Sequence, residues 1–325
     1  MDASHNTNKL NWQFFINETL RRREAENINQ KEHAALANVS VPTMRRFETG
    51  EKSLILAKAF DIMRVVGMLD ESTMNSQDDF VKQAYQRWLD LTDQLTDSSP
   101  LRFRDGYMRL DYYLEGIDLP SMKKFCHISQ AASGTTRDAL LWTWEDPSRV
   151  HIDLTNKIIE CWQPNIYRAE RDFWWASALG HMFLMRGYPE DHHEGAFEGI
   201  QPGTILDPIV HMRRMVQSLF HAKRLGSQMS NRSTVVHWRG LWTGLNGRVL
   251  RSIVDDQLKW WRHTGRSHEV MLEVSLPLDD IGPHMIDHIY PLITKFYGKF
   301  DAKISQDFLK TLIYPDDSTQ GGCLS

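Results

Sequence analysis

Cysteine is scarce. Cys126, Cys161 and Cys323 are three in 325 residues, odd in number and without CxxC spacing, which excludes a disulfide framework and a cysteine zinc site and leaves reduced thiols as the expectation. Net charge is almost as scarce, since 38 basic and 42 acidic side chains leave −4. The chain as a whole therefore has no pull on nucleic acid or anionic lipid, and any polyanion site has to be local. Long apolar runs are missing too. The most apolar helical stretch, Phe173 to Met185, carries His181 and is too short to cross ~30 Å of hydrocarbon. The N-terminus lacks the layout of a signal peptide, so the expectation is a cytoplasmic protein without membrane contact. No internal repeat is visible. At 41% apolar and 25% charged residues, disorder and fibrous classes are excluded and the length suits more than one domain.

Residues 10–70 read as short helices broken at Asn27 to Asn29, Ala37 to Ser40 and Thr49 to Ser53, a compact all-helical unit. The first seventy residues carry +1 and the remainder −5, so the small positive balance sits in the smaller piece. Residues 71–98 read as a linker and a connecting helix, with Phe80, Ala84, Trp88, Leu91 and Leu95 spaced for one face between Asp79 and Leu95. Residues 99–315 read as an α+β domain and 316–325 as a frayed tail. Within that domain, Ala139 to Trp144, Val150 to Leu154 and Glu269 to Leu276 are the expected strands. The expected helices are 119–130, 167–186, 247–262 and 283–297.

The most informative run is residues 27–53, NINQKEHAALANVSVPTMRRFETGEKS. Asn29 followed by Glu32 three positions on is a capping box, so a helix starts at Gln30. It lasts about two turns, because Asn38 tolerates the left-handed backbone of a tight turn. Ser40 caps a second helix that takes Pro42 in its first turn and ends near Thr49-Gly50. Ala34 is small where the helices cross, and Ala37, Val39, Met44 and Phe47 fill the space between them. Val41, Pro42, Arg45 and Arg46 then face outward, an apolar and basic surface that a DNA major groove accepts, with Arg46 long enough for a guanine edge. Gln30 stands at a helix N-terminus, where its side chain and the helix dipole both suit a phosphate.

On these features residues 13–69 resemble the helix-turn-helix domain of the Cro/CI repressor (XRE) family. The matching positions are Gln30 opening the first of the two helices, Ala34 at the crossing, Ser40 opening the recognition helix, Met44 and Phe47 inside it, and Glu48-Thr49-Gly50 at its end. Asn38 replaces the usual turn glycine. His33 stands where the family has a larger aliphatic residue, which suggests a packed neutral histidine. The resemblance implies an N-terminal all-α helix-turn-helix domain, here followed by a larger α+β domain. It further implies sequence-specific binding to double-stranded DNA as a homodimer or higher even oligomer, two copies reading half-sites about one helical turn apart. Carried over, the family pattern makes Gln30, Val41, Pro42 and Arg46 base and backbone contacts, and Ser40, Thr43 and Arg45 phosphate contacts.

Nine of the eleven tryptophans fall between Trp142 and Trp261. Core and dimer interface is the preferred reading. The competing one is a pocket for a flat or apolar effector, lined by Trp142, Trp144, Trp174, Trp238 and Trp242. Trp174-Trp175 and Trp260-Trp261 fall on expected helices, where neighbours cannot share a face. His284 and His288 are four apart and Asp191-His192-His193-Glu194 is a histidine-rich segment, but without HExxH a solvated or packed histidine pair is the better reading and no metal site is assigned. Gly240 to Arg248 is glycine-rich without a P-loop lysine, and reads as a loop and helix start. No cofactor is implied. No Ser-His-Asp, Cys-His or paired-carboxylate arrangement can be defended from linear spacing, because catalytic partners meet only in the fold, and no enzymatic activity is expected. The reading is a transcription regulator with a C-terminal domain for oligomerisation and for sensing a small-molecule effector. The alternative is an enzyme or phage-defence protein that carries an autoregulatory or targeting helix-turn-helix.

Overall fold

The computed structural model describes residues 12–51, 53–68, 76–97, 99–133, 141–142, 144, 146–163, 172–191, 199–252 and 263–313. The chain divides into two units, Met1–Thr73 with Leu119–Phe125, and Met74–Asp118 with Cys126–Ser325.

The first unit is built of α1 (Trp12–Ala25), α2 (Gln30–Leu36), α3 (Val41–Glu48) and α4 (Leu56–Val65). Local chemistry sets their ends. Asn29 Oδ1 accepts the N–H groups of Lys31 and Glu32 at 3.0 Å, and Glu32 Oε2 accepts the Asn29 N–H at 3.1 Å, which is the expected capping box. Asn38 has φ 50°, and the Val39 N–H turns back to the Ala34 carbonyl at 2.9 Å. Ser40 Oγ accepts the Thr43 N–H at 3.2 Å and so caps α3. Gly50, at φ 75°, closes the other end, with the Glu51 N–H on the Arg46 carbonyl at 3.0 Å. Ile16, Ala34, Ala37, Met44, Phe47, Ala59, Ile62 and Met63 form the core, and Trp12 meets Phe47 edge-on at 5.6 Å. His33 is fully buried with Nε2 2.9 Å from the Ile62 carbonyl. Burial pushes its pKa down, so it packs as a neutral ring that donates Nε2–H.

The second unit is α+β. Its centre is a seven-stranded antiparallel sheet of order β2-β3-β4-β5-β1-β7-β9. The strands are β1 (Tyr107–Ile117), β2 (Val150–Asp153), β3 (Ile158–Gln163), β4 (Asp172–Ser177), β5 (His181–Gly187), β7 (Ser230–Thr243) and β9 (Glu269–Pro277). Two short strands, β6 (Ile205–Leu206) and β8 (Val249–Leu250), pair in parallel. Helices α7 (Pro208–Ser227) and α8 (Met285–Gly298) pack on β1, β7 and β9. Helix α6 (Met122–Ala132) begins in the first unit and ends in the second, and α9 (Gln306–Ile313) belongs to the second.

The helix expected to connect the two parts is α5 (Gln77–Thr92), and it is an integral piece of this second unit. Phe80, Val81, Ala84 and Trp88 pack on Ile158, Phe173, Phe183 and Met185. Strands β4 and β5 are thereby buried on both sides, and over 172–186 this corrects the helix expected over 167–186, of which 167–171 lie outside the described residues. A doubly buried strand loses its alternation and reads as a continuous apolar run, which periodicity cannot tell from a buried helix. The break between the two strands is Gly180, at φ 90°, where a Cβ would fall 2.7 Å from Ile117 Cδ1. Trp174 and Trp175 do point to opposite sides, but because they alternate on a strand.

Three further expectations change. Leu141-Trp142 form a bend, with Trp142 at φ 54°, instead of belonging to a strand over 139–144. The glycine-rich stretch from Gly240 begins as the end of β7, and Val249-Leu250 pair as β8 where a helix over 247–262 was expected. Residues 253–262, Trp260-Trp261, His192-His193 and the tail 316–325 lie outside the described residues. The strands at Val150 and Glu269 and the helices near 119–130 and 283–297 are present. Among the described residues no helix is long and apolar enough to cross a membrane.

Candidate nucleic-acid interface

Helix α3 has two opposed faces. Met44 and Phe47 are fully buried, while Pro42, Arg45, Arg46 and Thr49 are exposed at the i, i+3, i+4, i+7 spacing that shares one side of a helix. Val41 differs from expectation: it is half-buried and packs against the core of the first unit. Thr43 is half-buried, and its hydroxyl lies 2.8 Å from Ser40 Oγ.

The polar side chains form two carboxylate-centred clusters. Glu48, near the end of α3, accepts from Gln30 Nε2 at 2.5 Å and pairs with Arg23 of α1. One carboxylate thereby ties α1, α2 and α3 together. Gln30 spends one amide hydrogen on this bond and keeps a second N–H and its carbonyl oxygen for another partner. The second cluster lies beyond the helix end. Arg46 donates Nε–H and Nη2–H to Glu51 Oε2 and Oε1, both at 2.8 Å, and Nη2–H to Ser53 Oγ at 3.1 Å. The Arg46 guanidinium and the Ser53 hydroxyl hold the Glu51 carboxyl down to about 2. Arg45 is exposed and makes no ion pair among the described residues. The roles of Arg23, Glu48 and Glu51 were not read from the sequence. Only the Glu-Thr-Gly ending pointed toward Glu48, since the three partners come from three separate helices.

The five tryptophans named for an effector pocket lie mainly in the core of the second unit. Trp142, Trp174, Trp238 and Trp242 are at most 1% exposed and Trp144 is half-buried. Trp142 Nε1–H donates to the Phe183 carbonyl at 3.0 Å, Trp238 Nε1–H to Ser218 Oγ at 2.8 Å and Trp242 Nε1–H to His211 Nδ1 at 3.2 Å. Ring contacts join Trp238 to Trp242 and Trp144 to Trp174, whereas Trp142 stacks on His221. His288 Nε2 lies 3.1 Å from Asp280, and no group of three residues able to hold a metal is found among the described residues.

No family model, no curated protein and no solved structure matches the chain.

Proposed function

We propose that the protein is a sequence-specific DNA-binding transcription regulator of the Cro/CI kind, with α2, its turn and α3 as a helix-turn-helix and α3 as the helix that enters the major groove. The observation that carries this reading is the division of α3 into a buried Met44-Phe47 side and an exposed Pro42-Arg45-Arg46 side, displayed on a capped helix pair. Arg46 reads a base edge, Arg45 and Ser40 meet phosphates, and Gln30 adds a contact from the start of α2. A single reader of this size binds weakly, so the second unit joins two copies and places two α3 helices on half-sites about one turn apart. In this reading the second unit also answers a small-molecule effector. The indole N–H groups already paired inside the protein favour packing over an effector cage for Trp142, Trp238 and Trp242.

The test is selection of an operator from random duplex DNA, followed by anisotropy titrations over a range of salt. Arg46→Ala is expected to cost about 1–3 kcal/mol on the selected site and to relax its sequence preference. Wild-type affinity in Arg46→Ala, or wild-type binding without salt or sequence dependence, defeats the proposal.

Glu51 gives a second expectation. Arg46 has to leave it to reach a base, and an exposed ion pair is worth about 0–1 kcal/mol. Glu51→Gln is therefore expected to tighten operator binding by at most about fivefold, measured in the same titrations.

A further inference from the structure

We propose that the face of β1, β7 and β9 bearing Tyr113, His237 and Ser275, which the start of α5 covers in part, carries a nucleophilic serine site for activated carbonyl esters. Ser275 is the nucleophile, His237 the base and Glu115 the residue that positions it. The three side chains come from three neighbouring strands. Tyr113, His237 and Ser275 are directly opposed across β1, β7 and β9, and Glu115 is the next residue of β1 on the same face as Tyr113. Their spacing in the chain, 122 and 38 residues, hides the arrangement from any reading of linear sequence.

The geometry fixes the direction of proton transfer. His237 Nε2 lies 2.8 Å from Glu115 Oε2, and His237 Nδ1 lies 2.8 Å from Ser275 Oγ. An ionised carboxylate only accepts, so the ring proton belongs on Nε2. That leaves the Nδ1 lone pair to take the hydroxyl hydrogen of Ser275. The nucleophile-to-base and base-to-orienter bonds are thus both present. The ring is also held from the side. Tyr113 lies parallel to His237 at 5.9 Å, His181 lies against Tyr113 at 4.5 Å, and Phe80 against His181 at 5.0 Å. The strand pairing shifts register just beyond Glu115, an irregularity of the kind that re-aims side chains beside sites.

The site is open to reagents. Ser275 is exposed, and the side chains of His237 and Glu115 are 32% and 61% exposed. Among the described residues no strand pairs with the outer edge of β9.

In the reaction, Ser275 Oγ bonds to the ester carbonyl carbon while its hydrogen passes to His237 Nδ1. The imidazolium stays paired with Glu115. Collapse of the tetrahedral intermediate breaks the bond to the leaving oxygen, which takes the proton from Nδ1. Water then repeats the sequence on the acyl-serine, releasing the acid and restoring Ser275. No oxidant, reductant or metal enters the balance.

The experiment uses the full chain and a fluorophosphonate probe, which phosphonylates an activated serine with loss of fluoride, read by peptide mass spectrometry. 4-Nitrophenyl acetate serves as substrate in parallel. The expected result is a single phosphonate on Ser275, absent from Ser275→Ala, with labelling slowed on the order of 100-fold in His237→Gln. Glu115→Gln is expected to slow labelling and Glu115→Asp to restore part of the rate, which a merely structural carboxylate would not do. All three positions are on the surface, and circular dichroism of each variant checks that the fold is kept. An unlabelled Ser275 in the wild type, or equal labelling of wild type and His237→Gln, overturns the proposal. Neither result bears on DNA binding, which resides in the first unit.

Discussion

Replacing Asp172 by alanine is expected to lower stability by about 3–5 kcal/mol, because it removes the carboxylate that two N–H groups of a buried guanidinium donate to. Asp172 and Arg186 are directly opposed on β4 and β5, each is 1% exposed, and Arg186 Nε and Nη2 both donate to the carboxylate. Both side chains are buried within the sheet, where an ionic contact is little screened by water. The cost is a cost of breaking the pair, not the net worth of having it. Exchanging both residues for apolar ones of similar size is expected to recover part of the loss, since desolvating two ions offsets much of their attraction. Urea unfolding of wild type, Asp172→Ala and the double variant Asp172→Leu/Arg186→Met measures both quantities. A single-variant loss below about 1 kcal/mol would contradict the buried pairing.

Mild acid is expected to destabilise the second unit well before most of its carboxylates titrate. His221, 1% exposed with Nδ1 2.8 Å from Tyr112 Oη, is pushed down to about 3 by burial and then by the charge of Arg224. His181, 4% exposed between Phe80 and Tyr113, is pushed down to about 4 by burial and then by Arg239. Both folded values lie below the ordinary 6.5 of an unfolded histidine. Between those limits the unfolded chain binds more protons than the folded one. The stabilisation is therefore full above pH 6.5 and is lost as pH falls, at about 1.4 kcal/mol per pH unit for each ring. Together the two rings remove about 4 kcal/mol between pH 6.5 and 4.5. Urea midpoints followed over that range give the slope, and His181→Phe is expected to reduce it by about half. A flat profile from pH 6.5 to 5 would show that these rings are not buried neutral.

The first unit was far more legible in the sequence than the second, and the difference is one of range. Asn29 with Glu32, Asn38, and Ser40 with Pro42 each act on backbone within a few residues, so their caps and turns could be read along the chain. The run from Phe173 to Met185 could not, because its lack of alternation comes from α5 and other elements distant in sequence. Trp142 reads as a strand residue by composition yet sits in a left-handed bend, where its indole N–H reaches the Phe183 carbonyl across the fold. The same limit applies to sites. The outward face of α3 follows from spacing within one helix, whereas Glu48 with Gln30 and Arg23, or Ser275 with His237 and Glu115, exist only once separate elements meet.

If the proposed DNA reading holds, the carboxylate of Glu48 bears on how fast an operator is found. Because Arg23, Gln30 and the last turn of α3 converge on it, the three helices tumble as one preassembled block. Capture of a half-site should then need orientation and the release of Arg46 from Glu51, with no ordering of the helices themselves. Association would be set by diffusion and steering by charge, with discrimination between sequences expressed in how long each complex lasts.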